Sequence, residues 1–444
     1  MTKSTNKVLI ITYYWPPASG PGVQRFLKFC KYLPVFGWKP YVVTVENGTY
    51  SSTDATLAQD IPASASVVKT KTSEPFTIYN RLTGTKKNSG TVGMINMDSK
   101  QSLLKQASVY VRANFFVPDA RKGWNKHAVA AAKELIRKEN IENIITTGPP
   151  QSTHLIGLKL KQDLGVNWIA DFRDPWTTVY YNDMLPRTNA TKVRDKKLED
   201  KVLAAADKVV VVSDGLKDEF ADRNNDISVI YNGFDEHDMA YMPWEDKNKK
   251  CIIASIGNFK PNQNINTLWQ ALAELKEENE EFAHSVKISL TGNIDNSVLN
   301  SFKKFGIESM LEINDYVPHM EATKRMMIAD LLLFIVPQTP RNHLIITGKL
   351  FEYIASRTPI FSVGPIAGNA AQILEKAQRA RMIEYDDKSE LKKALREYFN
   401  KWQSADKPIK HPESGLWEFS RKGLTEKLAD QLNELTAQKK SDKK

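Results

Sequence analysis

The chain has 444 residues, of which 41% are hydrophobic and 26% charged, with a formal net charge of +10. That length exceeds what one hydrophobic core usually organises, and the composition excludes wholesale disorder, so two globular domains are expected. No apolar run approaches the roughly 18–20 residues that span a bilayer. The start, MTKSTNKVLIIT, has neither an h-region nor a small-residue cleavage site, so export is not expected and the cytoplasm is the expected compartment. Only Cys30 and Cys251 occur, far apart and each in an apolar stretch, which excludes a disulfide framework and a thiolate metal cluster. The charge is uneven: residues 66–126 hold eleven Lys and Arg against three acids. Lys439, Lys440, Lys443 and Lys444 form a second cluster, expected to be a frayed solubilising tail.

Strand-length apolar runs alternate with segments of helical period, the pattern of parallel sheets covered by helices. In the first half the expected strands are 7–12, 41–45, 143–147, 168–171, 208–212 and 228–231. Helices are expected from Val23 to Leu33, at 152–164 and from Asp214. The polar stretch 237–250, with Pro243, sets a boundary, after which the alternation restarts. Strands are expected at 251–256, 287–291, 331–336 and 360–363, with helices at 264–275 and 348–356. Phe419, Leu424, Leu428, Leu432 and Leu435 make a terminal apolar stripe that must bury a face. The expected division is therefore 1–240, with a basic insertion at about 66–126, then 241–405, then a helix and basic tail at 406–444.

In an open parallel sheet, ligands bind beyond the carboxyl ends of the strands, so the residues that follow strands matter most. Between the first strand and helix stands Pro16-Pro17-Ala18-Ser19-Gly20-Pro21-Gly22, where glycine allows close backbone approach and the helix N-terminus favours negative charge. A dinucleotide fingerprint would need a third glycine at position 25, which is Arg25, and Glu46 after the second strand is weak support for it. Next comes Ala170-Asp171-Phe172-Arg173-Asp174-Pro175-Trp176, three charges at a strand end, which must pair with one another or face a polar cleft. In Thr347-Gly348-Lys349-Leu350-Phe351-Glu352, Lys349 sits in the first turn of a helix. A cation is disfavoured there unless it shares an anion with the free N–H groups. Glu352, three residues on, can accept two hydrogen bonds from a ribose diol, or simply pair with Lys349. Gly257-Asn258-Phe259-Lys260 is a further glycine turn, with Lys260 either reaching a diphosphate or merely solvated. His154, His319 and His343 are too scattered for a metal site, and HxH, HExxH, paired CxxC, GxSxG and P-loop motifs are absent from the sequence.

These residues resemble the retaining glycosyltransferases of family four, in particular a bacterial subgroup whose N-terminal stretch reads YYWPPASGPGVQRFLKF, as residues 13–29 do here. The similarity extends through Thr147-Gly-Pro-Pro-Gln-Ser-Thr-His154, Ala170 to Trp176, Val211-Val-Ser213, Tyr231-Asn-Gly-Phe234, Gly348 to Tyr353 and Phe419-Ser-Arg421. It implies a GT-B α/β fold: two Rossmann-like domains facing across a cleft, with a C-terminal helix crossing back to the first. It further implies a nucleotide sugar held by the second domain through Gly257, Asn258, Lys260, Gly348, Lys349 and Glu352. Gly20 and Gly22 would lie beside the phosphates, Arg173, Asp174 and Lys349 would be catalytic, and His154, Asp171 and Trp176 would stand on the acceptor side. The pattern departs from the family where a first glutamate, eight positions before Glu352, is replaced by Leu344. A basic residue usual before the second-domain helix is here Gln263 or Asn264, which leaves Lys260 as its substitute.

The resulting expectation is a sugar transfer onto a glycan or lipid-linked acceptor, with retention and without metal or cofactor, in surface polysaccharide or glycoconjugate synthesis. Alternatives are a nucleotide-sugar epimerase of the same fold, which needs no acceptor, and a non-catalytic nucleotide-sugar binding protein. Leu104, Ala107, Tyr110, Val111 and Phe115 can share one helical face flanked by Lys105 and Arg112. That pattern makes an anionic membrane surface a candidate partner through 66–126, with packing on the first domain as the alternative. Nucleic acid is not expected, because no binding module accompanies the charge.

Overall fold

The computed structural model describes residues 6–73, 103–179, 182–239 and 249–442. The chain forms two compact units, one of residues 1–232 with 421–444 and the other of residues 233–420. Unit 1 holds strands β1 (Asn6–Ile11), β2 (Trp38–Val45), β3 (Ser66–Thr70), β4 (Asn143–Gly148), β5 (Asn167–Phe172), β6 (Lys208–Val211) and β7 (Ile227–Val229). They make one sheet in the order β3-β2-β1-β4-β5-β6-β7, every pair parallel. Its helices are α1 (Pro21–Tyr32), α2 (Leu103–Phe115), α3 (Asn125–Glu139), α4 (Ser152–Leu164), α5 (Asn189–Ala205) and α6 (Asp214–Phe220). Strands β4 and β5 are buried along their whole length, as parallel strands covered on both faces must be.

Unit 2 repeats the plan with β8 (Cys251–Ile256), β9 (Val286–Thr291), β10 (Leu311–Asn314), β11 (Leu331–Ile335), β12 (Ile360–Val363) and β13 (Met382–Ile383) in the order β10-β9-β8-β11-β12-β13. Its helices are α7 (Asn266–Glu278), α8 (Glu280–Ser285), α9 (Asn296–Lys304), α10 (His319–Ile328), α11 (Gly348–Ser356), α12 (Asn369–Lys376) and α13 (Lys388–Ser404). In each sheet the chain reverses its direction of winding beside the first strand, between β1 and β4 and between β8 and β11. Those are the two positions where a doubly wound sheet opens a crevice at its carboxyl edge.

The last helix, α14 (Arg421–Asp442), belongs to unit 1, as the apolar stripe requires: Leu424, Leu428, Leu432 and Leu435 are all buried. Its polar side is keyed to the amino ends of the strands. Trp38 Nε1 donates to Asn433 (3.1 Å), Asn143 Nδ2 to Thr436 (3.2 Å), Ser228 Oγ to Gln431 (3.0 Å) and Lys208 Nζ to Glu434 (2.8 Å). The helix thus closes the edge opposite the crevice.

Three expectations change. Unit 1 ends at Asn232 rather than near residue 240, and residues 406–420 belong to unit 2. There Phe234 donates its N–H to Phe419 O (3.0 Å) and bridges to Ser420. The expected basic insertion is not one piece: it contains the edge strand β3 and helix α2 and runs into α3, while its residues 74–102 lie outside the described part. The expected frayed tail is helical through Asp442, with Lys439 Nζ donating to Gly165 O (2.7 Å), whereas Lys443 and Lys444 lie outside the described residues. Pro243 also lies outside them.

Truncating Leu432 to Ala should cost about 2–5 kcal/mol of stability, because the cavity would open under a helix that cannot settle without breaking its polar keys. Urea unfolding should show the loss as a lowered midpoint at unchanged slope.

Candidate functional site

In unit 1 the glycine loop leads from β1 into α1. Gly20 caps the helix at φ +117°, a left-handed conformation that L side chains rarely adopt, and Pro21 opens the first turn, a start for which its fixed φ suits it. At Gly22 the constraint is space: a Cβ would lie 1.4 Å from Arg173 Nη1, so the guanidinium rests directly on the helix backbone. Arg173 itself follows β5, donates from Nε to Thr147 Oγ1 (3.1 Å), and bonds the Pro149 carbonyl through Nη2. Burial pushes its pKa below the usual arginine value, against the pull of Asp174 and Asp171. The Asp174 side of this strand end is exposed. Crowding by surrounding protein still pushes its carboxyl above the ordinary aspartate value, with Arg173 opposing.

Asp171 has a different partner from the one its neighbours suggest. Arg25, with no exposed surface, donates Nη2 and Nε to Asp171 Oδ1 (2.6 and 3.1 Å) and Nη1 to the carbonyls of Ile230 and Tyr231 (2.8 and 2.7 Å). Thr147 Oγ1 donates to the other carboxylate oxygen (2.9 Å). The three expected acceptor-side residues are accordingly all enclosed. Asp171 is consumed by Arg25 and Thr147. Trp176 is 2% exposed and donates Nε1 to Asp195 (2.8 Å). His154 has no exposed surface, stacks on Phe172 at 4.2 Å, and is held neutral by burial with a pKa of about 3. Trp168 Nε1 donates to Thr146 Oγ1 (2.8 Å), which leaves that hydroxyl to donate to His154 Nδ1 (2.9 Å). These side chains support the strand end from behind and cannot themselves touch an acceptor in this arrangement.

The loop that follows Asp174 is gripped from α5. Asp195 accepts from Trp176 and Arg187 (2.8 and 2.7 Å), while Glu199, one turn on, accepts from the N–H and hydroxyl of Thr177 (3.2 and 2.9 Å) and from Arg223 (2.9 Å). Both carboxylates are buried. Sequence reasoning missed Asp195 and Glu199; their signal was a pair of acids at i,i+4 on the inward side of a charged helix.

In unit 2 the corresponding turn follows β8. Gly257 has φ +104° and donates its N–H to Thr291 O (2.9 Å). A Cβ at neighbouring Gly292 would come within 3.0 Å of the Gly257 carbonyl group, so the two glycine turns pack backbone to backbone. Beyond Asn258, the loop of Lys260 is pinned by Gln263, which accepts from Lys260 N–H (3.1 Å) and donates to Ile335 O (3.0 Å). Gln263 is buried and Asn264 is tied to Ser297, Ser301 and Trp269. Neither can stand in for a basic ligand, and Lys260 is left exposed on the loop.

Tyr353 Oη accepts the Ile256 N–H (2.9 Å), which fixes α11 against the end of β8 and brings Lys349 near Lys260. Burial raises the Tyr353 hydroxyl to about 12, so it stays protonated. Lys349 carries no hydrogen bond or ion pair among the described residues, and its pKa is lowered to about 8, first by desolvation and then by Lys260, against the pull of Glu352. The Thr347 hydroxyl at the same helix start is buried without a partner, and the first-turn N–H groups of a helix have no acceptor within it. Glu352 accepts from or pairs with His319 Nε2 at 3.0 Å, a partner not foreseen from the sequence. Leu344 ends a 3₁₀ turn, and its carbonyl accepts from Asn369 (3.4 Å). Unit 1 thus gathers Gly20, Gly22, Arg173 and Asp174, and unit 2 gathers Gly257, Asn258, Lys260, Gly348, Lys349 and Glu352, each set at the carboxyl edge of its own sheet.

Comparison with known proteins agrees with this architecture. The sequence model of Glycosyltransferase Family 4 matches residues 93–238, and no curated protein matches the chain by sequence. Among solved structures, HepE of Anabaena, determined in complex with UDP, superposes with a TM-score of 0.60 at 13% identity, over 96% of this chain and 100% of its own. A glycosyltransferase from Rickettsia africae gives 0.58 at 15% identity, with 97% and 99% covered. Sucrose-phosphate synthase from Thermosynechococcus elongatus gives 0.58 at 13% identity with the same coverage. The chain therefore has the GT-B fold, and a third of its length, mostly within unit 1, is similar to Glycosyltransferase Family 4.

Proposed function

We propose that the chain is a glycosyltransferase that moves a sugar from a nucleoside diphosphate donor to a glycan or lipid-linked acceptor, with retention and without a metal, in the synthesis of a surface polysaccharide or glycoconjugate. One observation carries this reading: the half-buried ammonium of Lys349 in the first turn of α11, with no hydrogen bond or ion pair among the described residues, beside the Thr347 hydroxyl, which has no partner among them either. A cation costs energy at that end of a helix, and an anion shared with the N–H groups removes the cost. A diphosphate fits the charge, and Glu352 one turn on can accept from a ribose diol once His319 gives way. The family match and the UDP of the HepE structure support the same leaving group.

In this mechanism Lys349, Lys260 and the α11 N-terminus stabilise the charge that develops on the departing diphosphate, the role a divalent ion fills elsewhere. Gly22 leaves room for the Nη1 end of Arg173 against α1, and Arg173 with Asp174 orients the acceptor hydroxyl. Its proton passes to a donor phosphate oxygen as the new glycosidic bond forms on the face the nucleotide leaves. Cytoplasmic action at the inner face of a membrane is part of this proposal.

Lys349 supplies a pH test with a defined sign. Its depressed pKa means that the ammonium needed for donor binding is present below about pH 8 and lost above it. The kcat/KM for donor should fall through that value, since it reports the free protein. Lys349→Arg should move this limb to higher pH, because a guanidinium stays charged. Lys349→Ala should abolish the limb and cost about 2–4 kcal/mol of transition-state stabilisation. A chelator should leave turnover unchanged, and full loss that is restored by a divalent ion would overturn the metal-free mechanism. Gly22→Ala must displace Arg173, so it and Arg173→Ala should lower kcat similarly. The double variant should be little worse than either alone, whereas additive losses would separate the two residues.

A further inference from the structure

Helices α10 and α11 pack against each other, and each starts where a strand has ended, α10 after β10 and α11 after β11. His319 is the first residue of α10, and its Nε2 lies 3.0 Å from Glu352 Oε1 on α11. The backbone on both sides is held. Thr323, 1% exposed, donates to the Met320 carbonyl in the first turn of α10 (2.9 Å), Thr358 just past α11 donates to Met326 O (2.8 Å), and Tyr353 ties α11 to the end of β8. The two side chains differ in freedom. Glu352 is 23% exposed and stands between the buried Phe351 and Tyr353, whereas His319 is 42% exposed, with Tyr316 (78%) and Met320 (61%) in the same stretch of chain. Of the pair, the imidazole is the group with room to rotate into solvent.

A ribose diol presents two hydroxyl donors side by side, and a carboxylate takes both when each of its oxygens is open. With the imidazole on Oε1, a diol that reaches for both oxygens has to displace it. The closed contact therefore subtracts from nucleotide affinity, because a site that is competent for only a fraction of the time binds more weakly by that fraction. Opening is inexpensive. The imidazole moves into water, where it recovers its hydrogen bonds, and Lys349 on the same helix keeps a cation near the carboxylate, so neither partner is stranded. The same competition acts in reverse after transfer, when the nucleoside diphosphate has to leave.

We propose that His319 is a latch on the ribose subsite: it holds Glu352 in the empty site, rotates out as a nucleotide enters, and returns to Glu352 as the nucleoside diphosphate leaves; the inference rests on the transferase reading for the role of Glu352. Calorimetric titration of the full chain with UDP, ADP, GDP and CDP, and with pyrophosphate, which has no ribose, tests it. His319→Ala should bind the accepted nucleoside diphosphate about three- to tenfold more tightly than the wild type, the range of one displaced hydrogen bond, with its affinity for pyrophosphate unchanged. His319→Gln, still able to donate to Glu352, should bind nucleotide like the wild type. In a Glu352→Ala background the gain from His319→Ala should vanish, because nothing is left to latch. The exposed position of His319 means that the melting temperature should hold. During turnover of a nucleotide sugar, inhibition by the released diphosphate should deepen in His319→Ala.

Unchanged or weaker nucleotide binding by His319→Ala, an equal gain for pyrophosphate, or a gain that persists in Glu352→Ala would overturn the latch and leave the transferase reading in place. Nucleoside diphosphates bound no better than pyrophosphate by both the wild type and His319→Ala would remove the ribose subsite itself, and the latch with it.

Discussion

The arrangement of unit 1 depends on a guanidinium that no water reaches. Arg25 spends its donors on Asp171, at the end of a central strand, and on the carbonyls of Ile230 and Tyr231, where the chain is about to leave the unit. One side chain on α1 therefore fixes the helix that carries Gly20 and Gly22, the strand end that carries Arg173 and Asp174, and the exit of the backbone. A buried pair of this kind adds little net stability, yet removing one partner leaves a stranded charge at a cost of about 3–5 kcal/mol. Its value lies in position. Gly22 and Arg25 are three residues apart on one helix, so the pair that sets Asp171 also sets the surface on which Arg173 lies.

Unit 2 solves the same problem with a neutral bond. Tyr353 holds α11 to the Ile256 N–H, and its protonated hydroxyl cannot compete for the charge nearby. The neighbouring ammonium of Lys349 is left without a hydrogen bond or ion pair among the described residues. Because its pKa is depressed relative to an unfolded chain, the cost of keeping it charged is full below about pH 8 and fades as pH rises toward the ordinary lysine value. An anion that restores the charge balance recovers that cost on binding. A helix start that is unfavourable when empty is thus consistent with a site whose free energy is realised only when a diphosphate is present.

The sequence makes the middle of both sheets readable because their signals are local. Ser152–Leu164, Cys251–Ile256, Gly348–Ser356 and Ile360–Val363 match their expected limits, each being an apolar run or period bounded by proline, glycine or polar residues. The strands β3, β10 and β13 were missed for the opposite reason: they are short edge strands, and β3 and β10 are half exposed, so neither a continuous apolar run nor a clean alternation marks them. The roles of Arg25, Asp195 and Glu199 were hidden because their partners are far apart in sequence, 146 residues in the case of Arg25 and Asp171. The motif at residues 170–176 showed that charges gather at a strand end but not which of them is consumed: Asp171 is taken by Arg25 and Thr147, while Asp174 stays exposed at the carboxyl edge. Likewise the glycine turns and Lys349 were legible from position after strands, whereas the His319 partner of Glu352 was not.

The two points where the chain passes between units are adjacent within unit 2, where Phe234 pairs with Phe419 and Ser420. Unit 2 is therefore an insertion whose ends meet, a topology in which a domain can complete its core on its own. Unit 1 cannot: its amino edge stays open until α14 arrives from the far end of the chain and buries Leu424, Leu428, Leu432 and Leu435. The contacts of Trp38, Asn143 and Lys208 with α14 close loops of 395, 293 and 226 residues. Long closures cost only logarithmically more in stability than short ones, but they slow the search. Folding of unit 2 first removes much of that search, because it brings Gly233 and Ser420 together and shortens the effective loop that α14 must close. The helix is held by both an apolar stripe and a row of polar keys. Arriving from so far along the chain, it has its register specified by side chains rather than by a short connection.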